Sequence, residues 1–295
     1  MSGSDARGLT PPVVLITGAT RGIGAAAAVE LARRGAEVAI VGREPERVRA
    51  TAEAARAAGD APVHEHVADL SSVAEVRRLA AEVLEVHPRL DVLANNAGAM
   101  FTARHVTPDG LEQTFALNHL APFLLTALLR ERLAGGRVVT TASDAHGGAE
   151  LDFDDLQFAR RPYRAMRVYS TSKLMNILFT RELAKRDGDI TATCFHPGVV
   201  RTGFGKNDGL LYRAALTAIG PFLRSPARGA RTLVWLALDP AAARLSGAYV
   251  ADEQVKTPSA AARDDVLAEG LWERTSELVD ALDRERDARG EQQDP

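Results

Sequence analysis

The sequence predicts an α/β fold, a doubly wound parallel sheet of about seven strands with helices on both faces. Three observations lead there. Short apolar runs of strand length alternate with longer segments of helical periodicity along most of the chain. The first of these runs ends in a glycine-rich turn that opens straight into a helix. No internal repeat or low-complexity linker interrupts the alternation. Right-handed crossovers between parallel strands place helices on each side of such a sheet. With 295 residues, 46% of them apolar, the chain fits one large domain over 1–295, with a core of about 11–252.

Each element has its own local reason. Val13 to Thr17 is a continuous apolar run ending at glycine, a buried strand. Gly22 to Arg34 follows as a helix whose Ala25, Ala26, Val29 and Leu31 suit packing on a sheet. Glu37 to Val41 is the second strand, and Pro45 to Ala58 the second helix, with proline at its first position. Val63 to Ala68 is the third strand. The third helix starts at a capping box, Ser72-Val73-Ala74-Glu75, and stops near His87 before Pro88. Asp91 to Ala94, Gly136 to Thr141, Thr191 to Phe195 and Ala248 to Val250 supply strands four to seven.

Two segments leave the alternation. Residues 199–226 combine four glycines and two prolines with several large apolar side chains, the composition of a mobile lid over a pocket. From about 263 to 295 the chain is heavily charged, yet Leu267, Leu271, Leu278 and Leu282 form one helical stripe. That stripe docks on the domain or on a partner subunit, with fraying expected after about Arg284.

Composition excludes several classes of function. The net charge of −3 leaves no basic excess for a nucleic acid or an anionic membrane surface. The one cysteine, Cys194, rules out an internal disulfide and lies in an apolar stretch, so it reads as a small buried side chain. Residues 1–12 lack the apolar core of a signal peptide, and no run reaches the roughly 18 apolar residues of a membrane span. The expected compartment is the cytoplasm.

The first turn, Thr17-Gly18-Ala19-Thr20-Arg21-Gly22-Ile23-Gly24, joins a strand to a helix. Glycines there let the backbone approach a pyrophosphate, whose charge is favoured by free N–H groups and the helix dipole. The spacing is Gly-x-x-x-Gly-x-Gly, and it resembles that of the short-chain dehydrogenases/reductases, a Rossmann-type family. The second strand ends Ile40-Val41-Gly42-Arg43, with no acid at its tip. A carboxylate there would bind a ribose hydroxyl, whereas a 2′-phosphate needs a cation. Arg43, with Arg21 as a second clamp, therefore points to NADP(H), although Glu44 stands next to Arg43. The resemblance further implies that Asp69 and Leu70 meet the adenine. It also implies that Asn95, Asn96, Ala97 and Gly98 stabilise the sheet centre and admit the cofactor.

Tyr169 and Lys173 stand four apart, on one face of a helix. With four tyrosines and four lysines in the chain, this Tyr-x-x-x-Lys pair is an infrequent coincidence, and it occurs once. Carbonyl reduction adds a hydride to carbon and a proton to oxygen. A phenol with a pKa of about 10 needs roughly 4 kcal/mol of help to exchange that proton near neutrality. An ammonium about 4 Å away supplies help of that order at an effective dielectric of about 20. Tyr169 is thus the expected general acid/base, with both residues also touching the cofactor. The family resemblance implies that Ser143 binds the reacting oxygen and that Asn118 holds a water relay to the lysine. It implies too that Pro197, Gly198, Val199 and Thr202 lie beside the nicotinamide. His196 reads as structural, and His146 is a weaker candidate for lining the substrate pocket.

The resemblance spans about residues 11–252. Leu151 to Leu156, Lys173 to Leu183 and the long spacing from Ser143 to Tyr169 resemble the retinol dehydrogenase and WW-domain oxidoreductase branch. Thr140 and Ala142 replace that pattern's Asn and Ser, and the membrane segment common in vertebrate retinol dehydrogenases has no counterpart here, so retinoid specificity is not carried over. The expectation is an NADP(H)-dependent oxidoreductase acting on an apolar carbonyl or alcohol, with no metal. Redox-neutral chemistry such as epimerisation or dehydration, and a catalytically silent cofactor sensor, are the alternatives. Family habit implies a homodimer or homotetramer.

Overall fold

A computed structural model describes residues 10–200 and 224–291. Its frame is a sheet whose strands are β1 (Val13–Thr17), β2 (Glu37–Gly42), β3 (Val63–Val67) and β4 (Val92–Asn95). β5 (Arg137–Thr141), β6 (Thr191–His196), β7 (Tyr249–Ala251) and β8 (Gln254–Lys256) complete it. The spatial order is β3-β2-β1-β4-β5-β6-β7-β8. All neighbours pair in parallel except the last two. Chain direction across the sheet reverses between β1 and β4, which opens a crevice at the carboxyl ends of those strands.

The central strands are apolar throughout because both sheet faces are covered. Successive residues alternate between two cores. Val14, Ile16, Val38 and Ile40 face α1 (Gly22–Arg33), α2 (Pro45–Ala58) and the later helix Pro226–Leu238. Val13, Leu15, Ala39 and Val41 face α3 (Val73–Val86), a helix near 121–128 and the long helix Ala165–Arg186. In chain order the remaining helices are α4 (Gln113–Phe115), α5 (Ala121–Leu128), α6 (Ala165–Arg186), α7 (Pro226–Leu238) and α8 (Asp265–Glu291). A π-turn, Ala116–Leu120, joins α4 to α5.

The sequence-based boundaries hold within a residue or so up to β7, and α2 matches at both ends. Half of the capping box forms: the Glu75 N–H donates to Ser72 Oγ (3.4 Å), while the Ser72 N–H donates to the Asp69 carbonyl (3.0 Å) and the Glu75 carboxylate pairs with Arg78 (2.6 Å). Two differences lie near the carboxyl terminus. The strand count is eight, because β8 folds back antiparallel on β7. Their connection is Asp252-Glu253, with φ of 52° and 61°, as a two-residue type I′ loop requires. Lacking glycine, this dipeptide does not carry the usual hairpin signature. The second difference is that α8 continues past Arg284 to Glu291. Arg77 of α3 anchors it through Asp283 (2.6 Å), and Arg286 adds pairs to Asp283 and Asp287.

The leucine stripe of α8 docks on the domain. Leu271 is buried, while Leu267, Leu278 and Leu282 pack partly buried against the same cluster as Leu174 and Ile177 of α6. The Trp272 ring stacks on Phe179 with centroids 6.0 Å apart. Among the described residues no helix is long and apolar enough to cross a membrane. Most of the expected lid, residues 201–223 including Thr202, lies outside the described residues.

Candidate active site

The glycine turn follows β1 at the crevice. Gly18 and Gly22 have φ of 64° and 54°, conformations that favour glycine. A Cβ on Gly18 would stand 2.7 Å from Ala97 Cα, so the turn lies directly against the end of β4. Gly24 is pressed equally hard on the Gly18 carbonyl and the Asn96 amide. The helix that follows is open at its start. Arg21 at the N-cap makes no side-chain cap hydrogen bond, and the first turn of α1, with Ile23 in it, carries no acid. α3 shows the contrast, capped by Ser72 and bearing Glu75 in its first turn. An uncapped helix start behind left-handed glycines is a cradle for an anion.

Thr17 and Asn96 hold that cradle in shape. Thr17 Oγ1 accepts from the Asn96 and Ala97 N–H groups (3.0 and 3.1 Å) and donates to the Ala94 carbonyl (3.2 Å). Asn96 Nδ2 donates to the Thr17 carbonyl (2.9 Å). Buried Asn95 donates to Thr126 on α5 (3.2 Å). Sequence reasoning missed the part played by Thr17, although a hydroxyl at the end of an otherwise apolar strand is a visible anomaly.

At the tip of β2 the backbone closes on the turn, and a Cβ on Gly42 would strike the Thr20 methyl. Arg43 is mostly exposed, with NH1 4.0 Å from Asp69 Oδ2. Arg21 leans on Glu44 (3.3 Å), which also pairs with Arg47 (2.5 Å). Both expected phosphate clamps therefore stand at the strand tip, each beside a carboxylate. Asp69 Oδ1 accepts from the Ser71 N–H (3.0 Å) and Ser71 Oγ (2.7 Å), which fixes the carboxylate in a tight turn. The Leu70 side chain is buried in the core.

The second half of the site comes from α6, β5 and the π-turn. Lys173 is 2% exposed, and its Nζ donates to the Thr141 carbonyl at the end of β5 (2.8 Å). Asn176, one helical turn on, donates to the same oxygen (3.2 Å). Burial lowers the lysine to about 8. Its ammonium stands 5.6 Å from the centre of the half-buried Tyr169 ring, so the i, i+4 pair does meet on one face. A Cβ on Gly98 would lie 3.3 Å from both Lys173 Nζ and Asn118 Oδ1, which joins the two halves of the site.

Asn118 is fully buried within the π-turn, a local insertion that recurs at functional sites. Its Oδ1 accepts from the Ala99 N–H (2.9 Å), and its Nδ2 donates to the Ala99 carbonyl (2.9 Å) and to Ser172 Oγ (3.0 Å). The helix distortion and the polar anchoring coexist at this residue. Ser172 and Asn176 were not foreseen, although both fall within three residues of Lys173.

Ser143 follows β5, and its Oγ accepts from the Ala145 N–H (3.2 Å). His146 is buried, with Nδ1 2.7 Å from the Ser143 carbonyl and Nε2 accepting from the Ser259 N–H (3.1 Å). It supports the serine loop instead of lining a pocket. His196 Nδ1 accepts from the Asp144 N–H (3.2 Å), the structural role expected of it. Tyr249 donates to Asp144 (2.5 Å). Pro197, Gly198 and Val199 follow β6, with Gly198 at φ 82°. Arg224 lies over Gly198, its N–H donates to the Val199 carbonyl (2.8 Å), and its guanidinium forks onto Asp252 (NH2 to Oδ2, 2.9 Å). Cys194 is buried, and burial pushes its thiol up to about 12, so it is no nucleophile.

Sheet order and the crevice at the switch point define a doubly wound α/β protein of the Rossmann type. The chain matches the short chain dehydrogenase family over residues 12–210, and it belongs to that family. A protein described as a daunorubicin C-13 ketoreductase, from Streptomyces sp. (strain C5), is 46% identical over 278 residues, 94% of this chain and 96% of the relative. Retinol dehydrogenase 13 of Homo sapiens is 38% identical over 280 residues, 90% of this chain and 84% of the relative. Among solved structures, an uncharacterized protein from Mycobacterium paratuberculosis superposes with a TM-score of 0.75 at 32% identity, covering 92% of this chain and 96% of the other. A Burkholderia cenocepacia short chain dehydrogenase in complex with NADP gives a TM-score of 0.65 at 27% identity, covering 87% and 99%.

Proposed function

We propose that this protein is an NADP(H)-dependent oxidoreductase that interconverts a carbonyl and an alcohol, with Tyr169 as general acid/base. The observation that carries this reading is the buried Lys173 ammonium, fixed to the Thr141 carbonyl and 5.6 Å from the Tyr169 ring centre. The buried ammonium on the same helix face favours the phenolate form of Tyr169 over the phenol, the direction in which a tyrosine becomes a usable general acid or base.

The residues present fit the cofactor. The open start of α1 and the left-handed Gly18 and Gly22 form an anion cradle for the pyrophosphate. Arg43 and Arg21 take the 2′-phosphate, Asp69 and the Leu70 backbone meet the adenine, and Asn96, Ala97 and Gly98 line the path. Pro197, Gly198 and Val199 bound the nicotinamide end. When bound, the nicotinamide supplies or receives the hydride. Ser143 orients the substrate oxygen, Tyr169 gives it a proton in reduction and removes one in oxidation, and Lys173 stabilises the phenolate left behind. Asn118 ties the lysine end of α6 to the Ala99 backbone, where a water relay would refill the proton.

Several lines support these finer statements. Solved relatives from Burkholderia cenocepacia and Pseudomonas aeruginosa are described as NADP complexes. The ketoreductase and retinol dehydrogenase relatives carry carbonyl or alcohol chemistry in their names. An apolar substrate suits the exposed Met166, three residues before Tyr169, and the exposed Val199 after β6. The test is a screen of ketones and aldehydes of graded size, followed by NADPH absorbance. Tyr169→Phe should retain NADPH binding and lose at least two orders of magnitude in turnover. Unchanged turnover removes Tyr169 from the mechanism, equal use of NADH removes the phosphate role of Arg43, and product without NADPH consumption makes the chemistry redox-neutral.

A further inference from the structure

A cluster at the opposite edge of the sheet has no part in this chemistry. Glu37 is the first residue of β2, His64 lies on neighbouring β3, and His87 follows α3 directly. Glu37 Oε1 is 3.1 Å from His64 Nε2 and 3.2 Å from His87 Nδ1. One donor atom from each of the three lies within 4.8 Å of the others. We propose that these residues form a binding site for a divalent transition metal, zinc in the first instance, which clips together β2, β3 and the end of α3.

Spacing is the first argument. Ligands about 2.0–2.1 Å from a tetrahedral zinc lie about 3.3–3.4 Å apart, a few tenths of an ångström from what Glu37 offers each imidazole. Alignment is the second. His64 Nε2 sits 3.1 Å from a carboxylate oxygen yet makes no hydrogen bond among the described residues. A nitrogen that approaches an oxygen without lining up for a proton is placed as a donor to a shared centre would be.

Burial is the third argument. His87 is 1% exposed and closes the inner side of the cluster. His64, 32% exposed at its side chain, leaves an open side from which an ion enters and a water completes its shell. Two imidazoles and one carboxylate suit zinc and its neighbours, whereas magnesium and calcium take oxygen ligands. The site stands at the far end of β2 from Arg43, about 20 Å along the strand, so its role is structural.

The test uses the full chain stripped of metal and titrated with Zn²⁺ by calorimetry and thermal unfolding. One ion should bind per chain, raising the unfolding midpoint by about 5 °C at a hundredfold excess over Kd, with no response to Mg²⁺. His64→Gln and Glu37→Gln should each weaken Zn²⁺ binding at least tenfold. His64→Cys, which restores a zinc donor, should recover it. The partly exposed His64 makes its variants the ones expected to fold with an unchanged metal-free midpoint. No Zn²⁺ binding, or binding that persists undiminished in both His64→Gln and Glu37→Gln, overturns the proposal.

Discussion

At Lys173 burial and chemistry pull in opposite directions. The ammonium is stripped of water, which lowers it to about 8, yet the proposed role of Tyr169 requires the charge. Because the folded value lies below that of a free lysine, the charge is present below about pH 8 and is lost as pH rises through it. The reductive rate should accordingly fall above about pH 8, and a flat pH–rate profile from 6 to 10 would contradict this. Lys173→Met should cut turnover at least a hundredfold while stabilising the fold by on the order of 2 kcal/mol near neutral pH. The Thr141 carbonyl keeps Asn176 as a donor in that variant. Denaturant unfolding beside an activity assay checks both halves. The Tyr169–Lys173 pair was legible because helical spacing places the two residues together whatever surrounds them. The partner that holds the lysine, the Thr141 carbonyl, was not, since a backbone carbonyl leaves no mark in the sequence.

Among the elements, the β1–α1 connection is the most constrained. Gly24 packs against the Gly18 carbonyl and the Asn96 amide, so an added methyl has no room. Gly24→Ala should weaken NADPH binding at least tenfold, measured by fluorescence titration, with a smaller loss of stability. An unchanged Kd would show that the turn yields without cost. The same connection shows why so much of the fold could be read in advance. Glycine spacing, the proline at the start of α2 and the Ser72 box are local signals, and each element they mark formed where expected. The β7–β8 hairpin escaped because Asp252 and Glu253 adopt left-handed conformations that neither residue type advertises. Tertiary contacts hold them there: Asp252 pairs with Arg224 and Glu253 with Arg231 (3.0 Å). The persistence of α8 to Glu291 likewise depends on Arg77, more than 200 positions earlier in the chain.

Across the whole molecule, buried imidazoles make stability depend on acidity. His119 is fully buried beside Thr275 of α8 (Nε2 to Oγ1, 2.9 Å), and burial lowers it to about 3. His66, His87 and His196 are lowered by burial as well. A lowered folded pKa means that the unfolded chain takes up more protons between that value and about 6.5. Stability should therefore fall as pH drops below about 6.5, with His119 contributing up to about 1.4 kcal/mol per pH unit. Urea unfolding at pH 7 and pH 5 measures the slope, and His119→Asn should make it shallower. A slope that is flat in the parent chain would mean that these rings are protonated in the fold. Distance along the sheet is also bridged by a single side chain. Arg224 fills the space where Gly198 would carry a Cβ while its guanidinium grips Asp252. A methyl at position 198 must evict that guanidinium, and the hairpin then loses its hold on a backbone it would not otherwise adopt. Gly198→Ala should therefore quicken amide exchange at 249–256, so damage in the turn after β6 is felt first at the sheet's outer rim.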